Sequence, residues 1–84
     1  MEPLPNNIPE LLDALGDPRA IIKAIAGLGY RPPSAGAIRI WRHRNFITGR
    51  WHIPVIRAAA KLAPNVPADH IADLLSQTEK AENV

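Results

Sequence analysis

The sequence predicts an all-α fold, a small bundle of about five short helices, on three observations. The apolar residues make up 46% of the chain and are mostly Ala, Ile and Leu, while aromatics contribute only 5%. That mixture packs short helices better than it fills a sandwich of twisted strands. Within successive segments the apolar residues recur at three- and four-residue spacing, the period of a helix. Most of the nine prolines fall at the boundaries of those segments, where a missing N–H starts or stops a helix. Eighty-four residues amount to one small domain. It is assigned to residues 1–76, with a polar, frayed tail over 77–84.

The elements follow in order. Asn7-Ile8-Pro9-Glu10 reads as a helix start, with Asn7 or Ile8 as cap and Pro9 in the first turn. Ile8, Leu11, Leu12 and Leu15 then share one face, and Gly16 closes this first helix. Asp17-Pro18 repeats the start signal. Ile21, Ile22, Ala24, Ile25 and Leu28 form the stripe of a second helix, ended by Gly27 and Gly29. Gly29 is the better candidate for a left-handed residue beyond the end. Tyr30-Arg31-Pro32-Pro33 cannot be helix interior, so Ser34 caps a third helix running to about Asn45. Phe46 to Arg50 is expected to be an irregular connection; a strand there has nothing evident to pair with. His52-Ile53-Pro54 opens a fourth helix carrying Val55, Ile56, Ala59, Leu62 and Ala63, and Trp51 before it is placed to staple onto Ile56. Pro64 stops that helix, and Pro67-Ala68-Asp69 starts a fifth with Ile71, Leu74 and Leu75.

Charge is distributed unevenly. Residues 1–17 carry Glu2, Glu10, Asp13 and Asp17 and no base. From Pro18 to Ala68 there is no acid, against Arg19, Lys23, Arg31, Arg39, Arg42, Arg44, Arg50, Arg57 and Lys61, a local charge of +9. Acid returns with Asp69, Asp73, Glu79 and Glu82. A basic middle between acidic ends is the pattern of a surface that meets a polyanion; a merely solvated basic face is the plainer reading.

The third helix carries the sharpest pattern. At 100° per residue, Ser34, Ile38, Trp41 and Asn45 share one side, with Ile38 and Trp41 as core anchors. Gly36, Arg39 and His43 fall opposite, flanked by Arg42 and Ala35 on one shoulder and Ile40 on the other. Small residues near the N-terminal end allow close approach to the floor of a groove. Arginine donates bidentate bonds to guanine or phosphate, and an exposed Ile40 meets a thymine methyl. Contact of Ile40 with the fourth helix or a dimer partner is an equal alternative.

These residues carry a family likeness. Asp17 through Ala63 resembles the Cro-like helix-turn-helix proteins of phages and prophages, including the YdaS-type regulators. The matching segments are Ile21-Ile22-Lys23-Ala24-Ile25-Ala26-Gly27-Leu28-Gly29, Ser34-Ala35-Gly36-Ala37-Ile38-Arg39-Ile40-Trp41-Arg42 and Gly49-Arg50-Trp51-His52-Ile53-Pro54. The resemblance implies a bacterial or phage-encoded transcriptional regulator, a repressor, acting as a homodimer on double-stranded DNA with the third helix in the major groove. The expected base contacts are Ala35, Gly36, Arg39, Ile40, Arg42 and His43. The expected phosphate contacts are Arg19, Arg31, Ser34, Arg44, Arg50 and Arg57. The chain departs from the pattern in its turn: Gly29 to Pro33 is longer than the usual three or four residues and holds two prolines. For a dimer, Ile71, Leu74 and Leu75 of the fifth helix and the exposed part of the fourth are the candidate contacts, with Leu11, Leu12 and Leu15 closing the core.

Other chemistries are disfavoured. There is no cysteine, hence no disulfide or thiolate metal site. His43, His52 and His70 lack metal-ligand spacing. Ser34 and Thr48 read as a cap and a loop residue rather than nucleophiles, and Gly27-Leu28-Gly29 follows a helix, not a strand, so it is no nucleotide-binding loop. Trp41 lies on the apolar face; stacking of Trp51 on single-stranded bases stays open. The expectation is thus a non-enzyme without cofactor, metal or small-molecule substrate. No run approaches the roughly 20 apolar residues of a membrane span, and the start lacks a signal-peptide pattern, so the expected location is the cytoplasm, at the nucleoid. The competing function is a small protein-binding module, antitoxin-like or an anti-regulator, using the same fold against a protein partner.

Overall fold

Helix starts follow the capping chemistry of the sequence. The structure, a computed structural model, describes residues 4–82, with side chains through Gln77. It contains α1 (Ile8–Leu15), α2 (Pro18–Gly27), α3 (Ala35–Arg44), a 3-10 turn at Gly49–Trp51, α4 (His52–Leu62) and α5 (Ala68–Glu82). There is no strand among the described residues. Asn7 Oδ1 accepts from the Glu10 N–H at 2.9 Å, Asp17 Oδ1 from Ala20 at 2.9 Å and Ser34 Oγ from Ala37 at 3.0 Å. Each bond satisfies an N–H that the first helical turn leaves without a partner.

Helix ends are equally local in origin. Beyond α2, Gly29 takes φ +92°; its N–H donates to the Ala26 carbonyl and that of Tyr30 to the Ile25 carbonyl. This pair of bonds is the Schellman arrangement, and only glycine enters it without a Cβ penalty. Asn45 ends α3 in the same left-handed region, at φ 55° and ψ 44°. There a short polar side chain substitutes for glycine.

All five helices contribute to one core. Ile8, Leu11, Leu12 and Leu15 of α1 meet Ile21 and Ile25 of α2, Ile38 and Trp41 of α3, and Val55, Ala58 and Ala59 of α4. Full burial of each large apolar side chain is worth about 1.5–3 kcal/mol, which more than offsets the weak intrinsic stability of helices this short. Ile22, Ala24 and Leu28 pack only at the rim of this core, because α2 has a narrower buried face than its apolar content suggests.

Several expectations are corrected. Ile71, Leu74 and Leu75 are 1%, 5% and 1% exposed; they complete the core and are not free to form a dimer contact. The segment from Phe46 is not wholly irregular: Ile47 is fully buried and Gly49–Trp51 forms a 3-10 turn leading into α4. Trp51 is itself the residue capping α4, with helical φ and ψ and no side-chain cap bond. The expected staple onto Ile56 therefore has the wrong register, and the indole instead lies 5.9 Å from that of Trp41, tilted by 56°. The non-helical connection between α2 and α3 runs from Leu28 to Ser34, longer than the Gly29–Pro33 read from the sequence. The α5 backbone continues past Gln77 to Glu82; residues 83–84 of the expected tail lie outside the described residues.

Candidate nucleic-acid interface

The packing of α3 decides what it shows to solvent. Ile38 and Trp41 are 2% and 4% exposed, and these two anchors fix the rotation of the helix. Ala35, Gly36, Arg39, Ile40, Arg42 and His43 consequently all reach the surface. Ile40 is 54% exposed, so contact with α4 does not bury it. The fold itself has no need of glycine at position 36: a Cβ there would meet only Ser34 Oγ, at 3.8 Å. Gly36 is the second residue of α3, and glycine in a helix costs up to about 1 kcal/mol relative to alanine.

Clefts flank α3 on both sides. Toward the α1–α2 corner, Ala35, Arg39 and Arg42 border a cleft of about 240 Å³ with Gly16 and Pro18. On the other flank, Ile40 and Arg44 face Phe46, Thr48, Arg50 and Trp51 across a cleft of about 350 Å³. A third cleft, of about 530 Å³, shares Ala37, Arg50 and Trp51 with the second and extends it to Tyr30, Arg31 and Ser34. The two form one groove along α3, bordered by three arginines and no acid.

The expected phosphate contacts divide accordingly. Arg31, Ser34, Arg44 and Arg50 are brought to that groove. Arg57 does not line it; its guanidinium lies 5.9 Å from the centre of the Tyr30 ring, a cation–π contact. Arg19 is exposed in the first turn of α2, next to Pro18 of the opposite cleft, and lines neither. His43 is exposed but borders none of the three. The other two histidines have structural partners: Nε2 of His52 donates to the Ile47 carbonyl at 2.7 Å, and Nε2 of His70 to that of Pro5 at 2.6 Å. The first bond secures the loop that carries Arg50.

Sequence reasoning missed four contributors. Phe46 and Thr48 enter the groove from a segment without periodicity. Helical phase puts Asn45 on the buried side of α3, yet its role is a bond: Oδ1 accepts from the Ile8 N–H at 2.7 Å, tying the start of α1 to the end of α3. Asp13 of α1 forms the one ion pair among the described residues, Oδ1 to Arg42 Nη2 at 2.8 Å. The remaining bases of the middle segment carry no acid partner among the described residues. No described helix is long and apolar enough to cross a membrane.

No protein-family model, curated protein or solved structure matches the chain.

Proposed function

We propose that the chain is a sequence-specific double-stranded DNA-binding regulator, a transcriptional repressor rather than an enzyme, with α2 and α3 acting as a helix-turn-helix and α3 entering the major groove. One observation carries the reading: α3 buries Ile38 and Trp41 and turns outward a face of Ala35, Gly36, Arg39, Ile40 and His43, small at its leading end and basic further on. A helix of that section fits a major groove about 12 Å wide. The unpaired arginines beside it supply the phosphate contacts that position such a helix. A-form RNA is disfavoured because its major groove is too deep and narrow to admit the helix.

One helix reads only a few base pairs, too little to single out a site in a genome. The proposal therefore includes a homodimer on an inverted repeat, half-sites about one helical turn apart. With α5 committed to the core, its contact falls to the exposed part of α4, where Ile53 is 61% exposed. The protein-binding alternative draws on that same isoleucine and on Ile40.

Fluorescence anisotropy on duplex DNA over a salt series tests the reading. With about four to six phosphates contacted per subunit, log K falls against log salt at about −0.9 per contact. Sedimentation of the complex with a footprinted site gives two subunits. A flat salt response, together with co-purification of one protein, overturns the reading in favour of the protein-binding module.

A further inference from the structure

Asp13 is an unexpected residue where it stands. It occupies the last turn of α1, where the helix dipole disfavours a negative charge, and it is 67% exposed, so no core packing requires it. What holds it is Arg42 of α3, at 2.8 Å. Arg42 lies one turn beyond Arg39 on the same cleft, and of these two neighbouring guanidiniums only Arg42 has a carboxylate.

We propose that Asp13 is a specificity-determining residue: it holds Arg42 as a reader of base edges and denies that arginine to the phosphates. This rests on the DNA-binding reading above. A guanidinium has five N–H donors; one bond to Asp13 Oδ1 leaves an edge for the two acceptors that guanine presents in the major groove. The carboxylate also cancels most of the attraction that a lone Arg42 has for a phosphate, and its charge repels a phosphate at that spot. A bare arginine binds DNA indiscriminately; one held by an aspartate gains only where a base completes its bonds.

The test uses the full chain, a pool of randomised duplexes for selection, and a mixed-sequence duplex for salt titration. The variants are Asp13→Ala, Asp13→Asn and, as a control that removes a distant acid, Asp73→Asn. The expected result is that the parent and Asp73→Asn enrich the same motif. Asp13→Ala loses preference at one base pair, roughly ten-fold or more, while binding the mixed duplex more tightly with a salt slope steeper by about 0.9. Asp13→Asn falls between. Thermal melting accompanies each, and Asp13→Ala melts within a few degrees of the parent, since the exposed ion pair it loses is offset by the unfavourable charge that α1 sheds. If the parent selects a motif and Asp13→Ala selects the same one with equal stringency, Asp13 only clasps α1 to α3 and the proposal is overturned while the DNA-binding reading stands. If the parent binds no duplex, both are overturned.

Discussion

Replacing Asn45 isolates two energies that the structure places in one residue. The first is conformational: at φ 55° and ψ 44° an alanine pays about 1–2 kcal/mol, whereas glycine pays nothing there. The second is the bond from the Ile8 N–H to Oδ1 at 2.7 Å. Ile8 opens α1, so its N–H has no partner within the helix, and leaving such a donor unmet where it is partly buried costs about 1 kcal/mol or more. Asn45→Ala loses both and should destabilise by about 2–3 kcal/mol. Asn45→Gly loses the bond and loosens the unfolded chain, for about 1–2 kcal/mol. For a domain of this size each kcal/mol moves the melting temperature by about 4–8 °C, so circular dichroism melts resolve the series. Urea titration with unchanged slope confirms that stability and not compactness has changed. If Asn45→Gly is as costly as Asn45→Ala, the left-handed conformation is not the penalty argued here. If neither differs from the parent, the tie between α1 and α3 contributes nothing.

Three further substitutions separate fold from binding on α3. Gly36→Ala should raise stability by up to about 1 kcal/mol, since its Cβ makes only an ordinary contact with Ser34 Oγ, yet weaken duplex binding measured by anisotropy; tighter or equal binding would show that no partner approaches there. Trp41→Ala should cost about 3–5 kcal/mol, a large part of the roughly 4–13 kcal/mol expected of a chain this long. Arg39→Ala should leave the melting temperature within a few degrees of the parent and lower specific binding. A Trp41→Ala protein that melts like the parent would mean that α3 is rotated and that its assigned outer face is wrong.

The contrast between what the sequence reveals and what it hides follows the range of the interactions. Asn7, Asp17 and Ser34 announce their helices because a cap and the N–H it serves lie within three residues. The rotation of α3 is legible because Ile38 and Trp41 fix the phase of a regular helix, and Ile40, Arg39 and Gly36 follow from it. Ile47 is as deeply buried as any core residue, but it sits in a segment with no period to betray it. The bonds from Asn45 to Ile8 and from Arg42 to Asp13 join residues far apart in the chain, and no local pattern encodes them. Ile71, Leu74 and Leu75 are legible as apolar, but their partner is not. A reading in which α1 alone closes the core leaves part of α5 spare, whereas α5 packs on both α4 and α1 and buries its apolar face there.

The two indoles give the protein an optical gauge of its own. Trp41 is rigidly seated in the core while Trp51 is half-buried at the mouth of the groove, and the rings are close and skewed. Transition dipoles at that separation and tilt couple, and the resulting circular-dichroism couplet in the far ultraviolet reports their mutual angle. Because Trp51 belongs to the turn that carries Arg50, any occupant that shifts this turn alters the couplet. Movement at the rim of the site can thus be followed in the unlabelled chain.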